Sequence, residues 1–318
     1  MRIPLFECAL CAVAVASATQ ACAQNYPSRP VRIVASAAGG GSDLVTRAIA
    51  QKLSAQLGQS VIVDNRGGGV IPGQIVSLAP ADGYTLLYYG SALWVSPLMR
   101  DETPYDVQRD FAPITLAVSS PNIMAVNPAV PANSVKEFIA LAKAKPGVLN
   151  YGSGSPGTAN HLAVELFKSM TGTNIVAIPH KGAGPAVISL LGNQVQMMIA
   201  PDSALSAHIK LNRLRALGVT SAKRSPQYPD LPVIAEAVPG YEFTTIWGIF
   251  APVKTPKPIL ERINREIVSA LNSAEMKPIL ARAGVDVVAS TPAQLAAAVK
   301  EDIVRLGKVI KDANIREQ

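Results

Sequence analysis

Two glycine-rich segments carry the residues best suited to bind a ligand. The first contains Gly39, Gly40, Gly41, Ser42 and Asp43, between an apolar run and an amphipathic stretch. Glycines let the backbone approach a ligand closely, and the start of the following helix offers unpaired N–H groups at the positive end of its dipole. An anion suits such a position. The alternative is a tight turn capped by Ser42 or Asp43, but three successive glycines exceed what a turn needs.

The second segment, residues 151–160, reads Tyr-Gly-Ser-Gly-Ser-Pro-Gly-Thr-Ala-Asn. Its glycines match the G-x-G-x-x-G spacing of dinucleotide-binding loops, but no acidic residue follows near residues 177–180 to bind a ribose. Hydrogen bonds to a carboxylate fit this segment better, and the candidate residues are Ser153, Gly154, Ser155 and Thr158. Neither segment contains the Gly-Lys-Ser/Thr of a phosphate-binding loop.

A third loop, residues 179–185, lies between a predicted strand and a short helix and contains Lys181, Gly182 and Ala183. Lys181 would supply a cation if it faced a cleft, but a lone lysine is more often a solvated surface residue. The pattern of residues leaves both interpretations open.

The residue types needed for catalysis are poorly represented. The three histidines lack metal-ligand spacing, and no serine lies in a G-x-S-x-G turn. Carboxylates are scattered rather than paired, so no general acid and base stand out. His161 is expected to pack or cap at the start of its helix. The sequence therefore predicts a protein that is not an enzyme and has no metal site and no cofactor.

The first residues predict export. An apolar run at residues 8–18 is followed by Ala21, Cys22 and Ala23, which fits the small-residue cleavage rule for a signal peptide over residues 1–23. The run is too short to span a bilayer as a helix. The alternative is a lipid-modified Cys22. All three cysteines lie in this segment, and a mature chain without thiols suits an oxidising compartment.

The charge pattern argues against nucleic acid as a partner. The chain carries 29 Lys and Arg against 22 Asp and Glu, a formal net charge of +7. These basic residues are scattered, few aromatics accompany them, and no nucleic-acid-binding motif occurs. The excess is either an ordinary soluble basic surface or a mild attraction for anionic ligands.

The elements that would position these loops alternate between strands and helices, which predicts an α/β fold. A helix over residues 43–57 with Ser42 as N-cap follows the first glycine loop, and Ser134, Thr255 and Thr291 are expected to cap later helices. Two long apolar passages are expected to cross between two lobes. The predicted lobes are residues 24–124 plus 245–318 and residues 125–244. The predicted strands are residues 31–35, 61–63, 84–89, 123–126, 174–178, 195–200 and 214–219, and the crossing passages are 111–126 and 243–253.

Several motifs in this order give the chain a family resemblance. They are Tyr-Pro-Ser-Arg-Pro-Val-Arg-Ile-Val at 26–34, Leu-Gly-Gln-Ser-Val-Ile-Val-Asp-Asn-Arg at 57–66, Ala-Asp-Gly-Tyr-Thr-Leu-Leu at 81–87, Leu-Asn-Tyr-Gly-Ser at 149–153, and Leu-Arg-Ala-Leu-Gly-Val-Thr-Ser-Ala-Lys-Arg at 214–224. With them the chain resembles the extracytoplasmic solute receptors of tripartite tricarboxylate transporters, often called Bug proteins.

The resemblance implies a two-lobed Venus-flytrap fold, of the type II-like periplasmic-binding-protein kind, with crossover strands. It implies a small carboxylate ligand held by backbone amides and hydroxyls at helix starts, adds Ser91 to the candidate ligand-binding residues, and makes membrane transporter subunits the expected partners. A ligand-dependent co-sensor that docks on a sensor-kinase ectodomain is an alternative function. A periplasmic enzyme on the same scaffold is another, which the missing catalytic residues disfavour.

The chain departs from the family pattern in places. Residues 34–38 read Val-Ala-Ser-Ala-Ala where members usually have Pro-Phe-Ala-Pro, His180 replaces a common Tyr, and Ala200 replaces a common Asp, with Asp202 two positions on. The far end of the ligand is therefore left open among dicarboxylates, tricarboxylates, acidic amino acids and aromatic acids.

Overall fold

The computed structural model describes residues 26–36, 38, 41–67, 69–154, 158–180, 183–224 and 228–316. The predicted signal peptide lies outside the described residues. So do five of the candidate ligand-binding residues, namely Gly39, Gly40, Ser155, Lys181 and Gly182. Across the described ranges, no helix is both long and apolar enough to pass through a bilayer.

Strands and helices alternate through most of the described chain. Short 3-10 helices occur at Ser96–Met99 and Ile234–Glu236. The other elements, in chain order, are β1 (Val31–Ala35), α1 (Gly41–Leu57), β2 (Val61–Asn65), α2 (Ile71–Ser77), β3 (Thr85–Gly90), α3 (Ala92–Val95), α4 (Val107–Asp110), β4 (Phe111–Val126), α5 (Val135–Ala144), β5 (Asn150–Ser153), α6 (Ala159–Thr171), β6 (Val176–Pro179), α7 (Ala183–Leu191), β7 (Met197–Pro201), α8 (Asp202–Lys210), β8 (Arg215–Val219), β9 (Thr244–Pro252), α9 (Lys257–Leu271), α10 (Met276–Ala283), β10 (Asp286–Val287) and α11 (Pro292–Asp312).

The strands form one curled sheet in the order β2-β1-β3-β9-β4-β7-β5-β6, with β8 and β10 also pairing with β4. β4 belongs to both halves of this sheet. Its residues up to Pro121 pair with β9, and from Asn122 onward they pair with β7. We define the first half as β1–β3, β9 and β10 with their helices, and the second half as β5–β8 with theirs. The predicted lobe boundaries remain a proposal.

The second connection between the halves runs beside β4. Phe243 N–H donates to the carbonyl of Thr220, and Thr220 N–H donates to the carbonyl of Asn122, just before the chain enters β9. The two crossing segments therefore lie side by side, which holds the halves together at one edge and leaves a cleft between them.

The first half is held by one apolar layer over the face of its sheet. On α1, Val45, Ile49 and Leu53 recur at helical spacing, are buried, and pack with α9 and α10 against β1 and β3. Gly58, at φ +66°, ends α1 because only glycine adopts that backbone conformation freely. On the other side of the sheet, α11 packs into an apolar cluster that joins both halves.

One predicted helix cap, at Thr291, agrees fully with the structure, and another, at Ser134, agrees in part. Thr291 forms the full reciprocal capping box with Gln294 at the start of α11, behind Pro292. Ser134 accepts a hydrogen bond from the N–H of Glu137 at 3.2 Å, as predicted, but the carboxylate of Glu137 binds the N–H of Asn133 at 2.7 Å instead of that of Ser134.

Two other predicted caps are wrong. Helix α1 begins at Gly41, so Ser42 lies inside its first turn rather than at the N-cap. Helix α9 begins at Lys257 with Pro256 at the N-cap. The hydroxyl of Thr255 donates instead to the carbonyl of Pro252 at 2.7 Å, so it stabilises the preceding turn.

Candidate ligand-binding site

Four helices begin around the cleft between the two halves. In the second half, β5 runs parallel to both β6 and β7, so the carboxyl ends of the three strands lie at one edge and lead into α6, α7 and α8. In the first half, β1 leads into α1. Because each helix start carries unpaired N–H groups and a partial positive charge, this arrangement favours an anion in the cleft.

The outer part of the cleft is an open cavity of about 440 Å³. It is lined from the first half by Gly41 and from the second half by residues of α7 and α8. β5, which ends at Ser153, lies between β7 and β6, the two strands that lead into the helices lining this cavity. The second-half lining residues are Gly184, Val187, Ile188, Leu191, Ser203, Ala204 and His208.

A smaller cavity of about 180 Å³ adjoins the outer one and reaches beneath the start of α1. Gly41 and Ser203 line both cavities. None of the described residues that line the smaller cavity has a charged side chain. They are Gly41, Ser42, Val45, Tyr88, Ser120, Pro201, Ser203, Trp247, Ala283 and Val285. We call this the inner cavity.

At the first glycine loop, the side chain of Asp43 is already paired. Its carboxylate accepts hydrogen bonds from Asn65 Nδ2 at 2.9 Å and from Arg47 Nε at 3.1 Å. These contacts turn the carboxylate toward α1 and β2 and offset its negative charge. What Asp43 and Ser42 can offer an anionic ligand is therefore mainly the backbone N–H groups of the first turn.

Gly41 has little room for a side chain. A Cβ atom built there would lie 2.9 Å from the carbonyl oxygen of Ala283, at the end of α10. The absence of a side chain thus lets the start of α1 lie against the end of α10, where both line the inner cavity.

At the second glycine loop, Ser153 is buried at the end of β5 and its hydroxyl donates to the carbonyl of Gly154 at 3.0 Å. The hydroxyl would have to rotate to donate to a ligand. Thr158 is the N-cap residue of α6 and is exposed, and its side chain makes no capping hydrogen bond. A Cβ atom on Gly154 would lie 3.2 Å from the hydroxyl of Thr158, so the loop folds back closely on itself.

The two remaining described candidates lie at the margin of the site. Ser91 follows β3, and its carbonyl accepts from the N–H groups of Trp94 and Val95, but it lines neither cavity. Ala183 is the first residue of α7, next to Gly184, which lines the outer cavity.

A group of buried ionisable side chains lies beneath the second loop. The carboxylate of Glu165 accepts from the hydroxyl of Tyr151 at 2.5 Å and from Lys168 Nζ at 2.6 Å, and the ring of His161 stacks on Tyr151. Burial raises the pKa of the Tyr151 hydroxyl and lowers the pKa of His161. These groups pair with one another, so they support α6 and β5 as a structural unit. We call them the Glu165 cluster.

Sequence reasoning missed two residues with unused hydrogen-bonding atoms. Asn160 is only 7% exposed, and its Nδ2 atom has no partner among the described residues. The hydroxyl of Tyr88 is also buried and has no hydrogen-bond partner among the described residues. Asn160 closed the glycine-rich segment, which was a usable signal, whereas Tyr88 lies in an ordinary apolar strand. Trp247, within the predicted crossing passage 243–253, lines the inner cavity.

The described residues show no grouping of three or more His, Cys, Asp or Glu side chains that could hold a metal ion. The polar side chains among the described residues that line the two cavities are those of Ser42, Tyr88, Ser120, Ser203, His208 and Trp247.

Comparison with known proteins agrees with this arrangement. The family model for the tripartite tricarboxylate transporter family receptor matches residues 45–315. BugT of Bordetella pertussis is 35% identical over 300 residues, which cover 92% of each chain. Among solved structures, Rpa4515 of R. palustris with adipate is 35% identical, with a TM-score of 0.81 and coverage of 92% of this chain and 99% of that chain. MatC from Rhodopseudomonas palustris with bound malate is 26% identical, with a TM-score of 0.77 and coverage of 90% and 100%.

The predicted resemblance and the predicted two-lobed α/β fold are therefore confirmed. The relatives match over about nine-tenths of the chain, and the solved ones share its fold over the same extent. The chain belongs to the tripartite tricarboxylate transporter receptor family.

Proposed function

We propose that this protein is a periplasmic solute-binding protein that captures a small carboxylate in the cleft and returns it chemically unchanged. The ligand is delivered to the membrane subunits of a tripartite tricarboxylate transporter. The observation that carries the proposal is the convergence of helix starts from both halves on one cavity, lined by Gly41 on one side and by Gly184 and Ser203 on the other.

The chemistry of that cavity suits a carboxylate better than a cation. Backbone N–H groups at the starts of α1, α7 and α8 present partial positive charge, and the one carboxylate at the start of α1, that of Asp43, is paired with Arg47 and Asn65. Hydrogen bonds from neutral N–H and O–H donors to a charged acceptor are among the stronger ones in proteins. The bound adipate and malate of the two solved relatives fit the same class of ligand.

The candidate residues outside the described ranges belong to the same proposal. Gly39 and Gly40 directly precede Gly41, Ser155 lies between Gly154 and Thr158, and Lys181 and Gly182 directly precede Ala183. We propose that these residues extend the same anion-binding surface, and that the helix starts contribute more to affinity than the ammonium group of Lys181.

Passive binding is favoured over catalysis because the described residues at the cleft lack paired acids and bases. Among the described residues that line the two cavities, His208 is the only histidine, and it lies on the wall of the outer cavity with Ser203 and Ala204. A general base and an activated nucleophile would have to lie within hydrogen-bonding distance of each other, whereas the Nδ1 atom of His208 has no hydrogen-bond partner among the described residues.

The proposal is tested on protein purified from the periplasm. Native mass spectrometry should find a one-to-one complex with a small acid, and denaturation should release that acid unmodified. N-terminal sequencing of the same sample should begin just after Ala23. Chemical conversion of the acid, dependent on an intact cleft residue, would contradict the proposal.

The variant pair Lys181→Ala and Gly184→Val separates two ways of holding the ligand. Because a Cβ atom on Gly184 meets nothing within 4 Å, valine there adds bulk to the outer cavity without disturbing α7. Calorimetry should find a larger loss of affinity for Gly184→Val than for Lys181→Ala. If only Lys181→Ala abolished binding, a lysine side chain, and not the helix starts, would hold the carboxylate.

The expected partner is tested by co-purification with membrane proteins in the presence of ligand. Recovery of transporter membrane subunits supports the proposal. Recovery of a sensor-kinase ectodomain in their place would assign the protein to signalling.

A further inference from the structure

The inner cavity contains a hydrogen-bonding group that the protein itself does not satisfy. Tyr88 is 1% exposed, it lines this cavity, and its hydroxyl has no hydrogen-bond partner among the described residues. Burial raises the pKa of the Tyr88 hydroxyl, so the group stays protonated and remains a donor at physiological pH. A buried donor without a partner is costly, and native proteins rarely keep one without a use.

The direction of this hydroxyl follows from strand geometry. Tyr88 pairs with Ala35 of β1 and Ile249 of β9, and its side chain lies on the face covered by α1. Its neighbour Tyr89 points to the opposite face, where its hydroxyl donates to the carbonyl of Gly69 at 3.0 Å. The hydroxyl of Tyr89 therefore has a hydrogen-bond partner within the chain, whereas the hydroxyl of Tyr88 faces the inner cavity.

The other described residues that line the inner cavity carry no charge. Trp247 forms part of its wall and lies close over Gly90, where an added Cβ would be 3.2 Å from two atoms of the indole ring. The other polar side chains in the lining belong to Ser42, Ser120 and Ser203. The hydroxyl of Ser120 is occupied, since it donates to the carbonyl of Gly284 at 2.8 Å. A second carboxylate buried here would have no cation among these lining residues to offset its desolvation, which costs several kcal/mol.

We propose that the inner cavity receives the far end of the ligand, and that this end is an uncharged hydroxyl or carbonyl group hydrogen-bonded by Tyr88. The inference rests on the proposed function, since it takes the near end of the ligand to be a carboxylate at the helix starts. The ligand is then a hydroxy- or oxo-substituted monocarboxylate, and Tyr88 is the residue that selects for the substituent.

The size of the cavity agrees with this class of ligand. Engineered apolar protein cavities of about 150 Å³ accommodate benzene. The inner cavity, at about 180 Å³, therefore has room for one six-membered ring or a chain of about six carbons, against the indole of Trp247.

Two matched series of acids test the proposal by calorimetry. The first is benzoate, 4-hydroxybenzoate and terephthalate, and the second is hexanoate, 6-hydroxyhexanoate and adipate. Each compares an apolar, a hydroxyl and a carboxylate far end on the same carbon skeleton. We expect the hydroxy acid of at least one series to bind more tightly than both of its companions. Its advantage over the apolar acid should be about three- to tenfold, as expected for one neutral hydrogen bond.

The variant Tyr88→Phe removes only the oxygen atom. It should abolish the advantage of the hydroxy acid and leave the affinity for the apolar acid within about twofold of wild type. Tyr89→Phe is the matched control on the opposite face of β3, and it should keep the advantage intact. Circular dichroism confirms that both variants fold.

Each of the remaining outcomes would contradict a different part of the proposal. If the dicarboxylate bound most tightly, the far end would be charged and the inference would be wrong. If Tyr88→Phe weakened the apolar and hydroxy acids equally, Tyr88 would contact the near carboxylate instead. An advantage that survived Tyr88→Phe would assign selection to another group. If none of the six acids bound although native mass spectrometry found a bound acid, the inner cavity would not receive such a ring or chain and the inference would be wrong, whereas absence of any bound acid in both experiments would contradict the proposed function.

Discussion

The two glycine loops have similar sequences, but the helices that follow them begin next to different surroundings. The start of α1 lies over the inner cavity, whose described lining residues are uncharged and include Tyr88, a residue with an unsatisfied hydroxyl. The start of α6 lies over the Glu165 cluster, in which a buried carboxylate, an ammonium group and a phenol are paired with one another. The start of α1 therefore borders a cavity that could hold a ligand, whereas the start of α6 packs on polar side chains that are paired with one another.

This difference separates binding from stability. A buried ion pair contributes little net stability, but removing one partner is costly because the other charge remains buried. A buried donor without a partner can instead increase affinity, because a ligand that supplies an acceptor gains a hydrogen bond. Variants in the first half should therefore change affinity and selectivity, whereas variants of the Glu165 cluster should mainly change the free energy of unfolding.

The strongest test of this contrast is Glu165→Ala. It leaves the hydroxyl of Tyr151 and the partly buried ammonium of Lys168 without their partner, so the free energy of unfolding should fall by about 3 kcal/mol. Urea denaturation measures the loss. Glu165→Gln keeps an oxygen that can accept from Tyr151 and should lose less. Equal stability of wild type and Glu165→Ala would show that the cluster is not a support.

Gly41 and Gly184 line the same outer cavity and form a matched pair. Gly41→Ala brings a Cβ to 2.9 Å from the backbone oxygen of Ala283, which cannot move as a flexible side chain would. Stability should fall by about 1–3 kcal/mol, the usual cost of overpacking. Gly184→Ala meets nothing within 4 Å and lies in a helix, so it should be neutral or stabilising by up to about 1 kcal/mol. Thermal denaturation decides, and equal losses for both would contradict the close approach of α1 to α10.

Asp43→Asn tests whether the paired carboxylate of the first loop contacts the ligand. Asp43 interacts with Arg47, whose side chain is 55% exposed, and such pairs contribute at most about 1 kcal/mol. We expect a stability loss within that limit and an affinity for carboxylates that is unchanged or slightly higher, because a negative charge near the ligand is removed. A tenfold loss of affinity, measured by calorimetry, would instead indicate that Asp43 binds a cationic group on the ligand.

The smallest effect concerns pH. Burial lowers the pKa of His161, so this residue binds a proton more readily in the unfolded chain than in the native protein. The contribution of neutral His161 is fully present above the unfolded pKa of about 6.5 and is lost as the pH falls below it. Between pH 7.5 and pH 5.5, the melting temperature of wild type should fall more than that of His161→Gln. Parallel decreases would show that His161 does not contribute to the acid sensitivity.

Much of the fold could be predicted from local patterns. The alternation of apolar runs and amphipathic stretches predicted the strand at residues 31–35, the helix that follows the first glycine loop, and the reciprocal cap at Thr291. These features depend on contacts between residues a few positions apart, so their signals lie within a single segment. The local pattern does not predict β5, because its four residues include Gly152 and run into the second glycine loop. Only its pairing with β6 and β7 makes it a strand.

The sequence by itself determined that the loops are glycine-rich, that a helix follows each of them, and that paired catalytic groups are scarce. The tertiary structure decided which residues meet. Gly41 lies against Ala283, 242 positions away in the chain, and Tyr88 and Trp247 line one cavity although their strands are far apart in the sequence. A cavity is the space left between such distant residues, and a hydrogen-bond donor is unsatisfied only with respect to everything that surrounds it. No pattern within one segment contains that information, because the packing of the complete fold creates it.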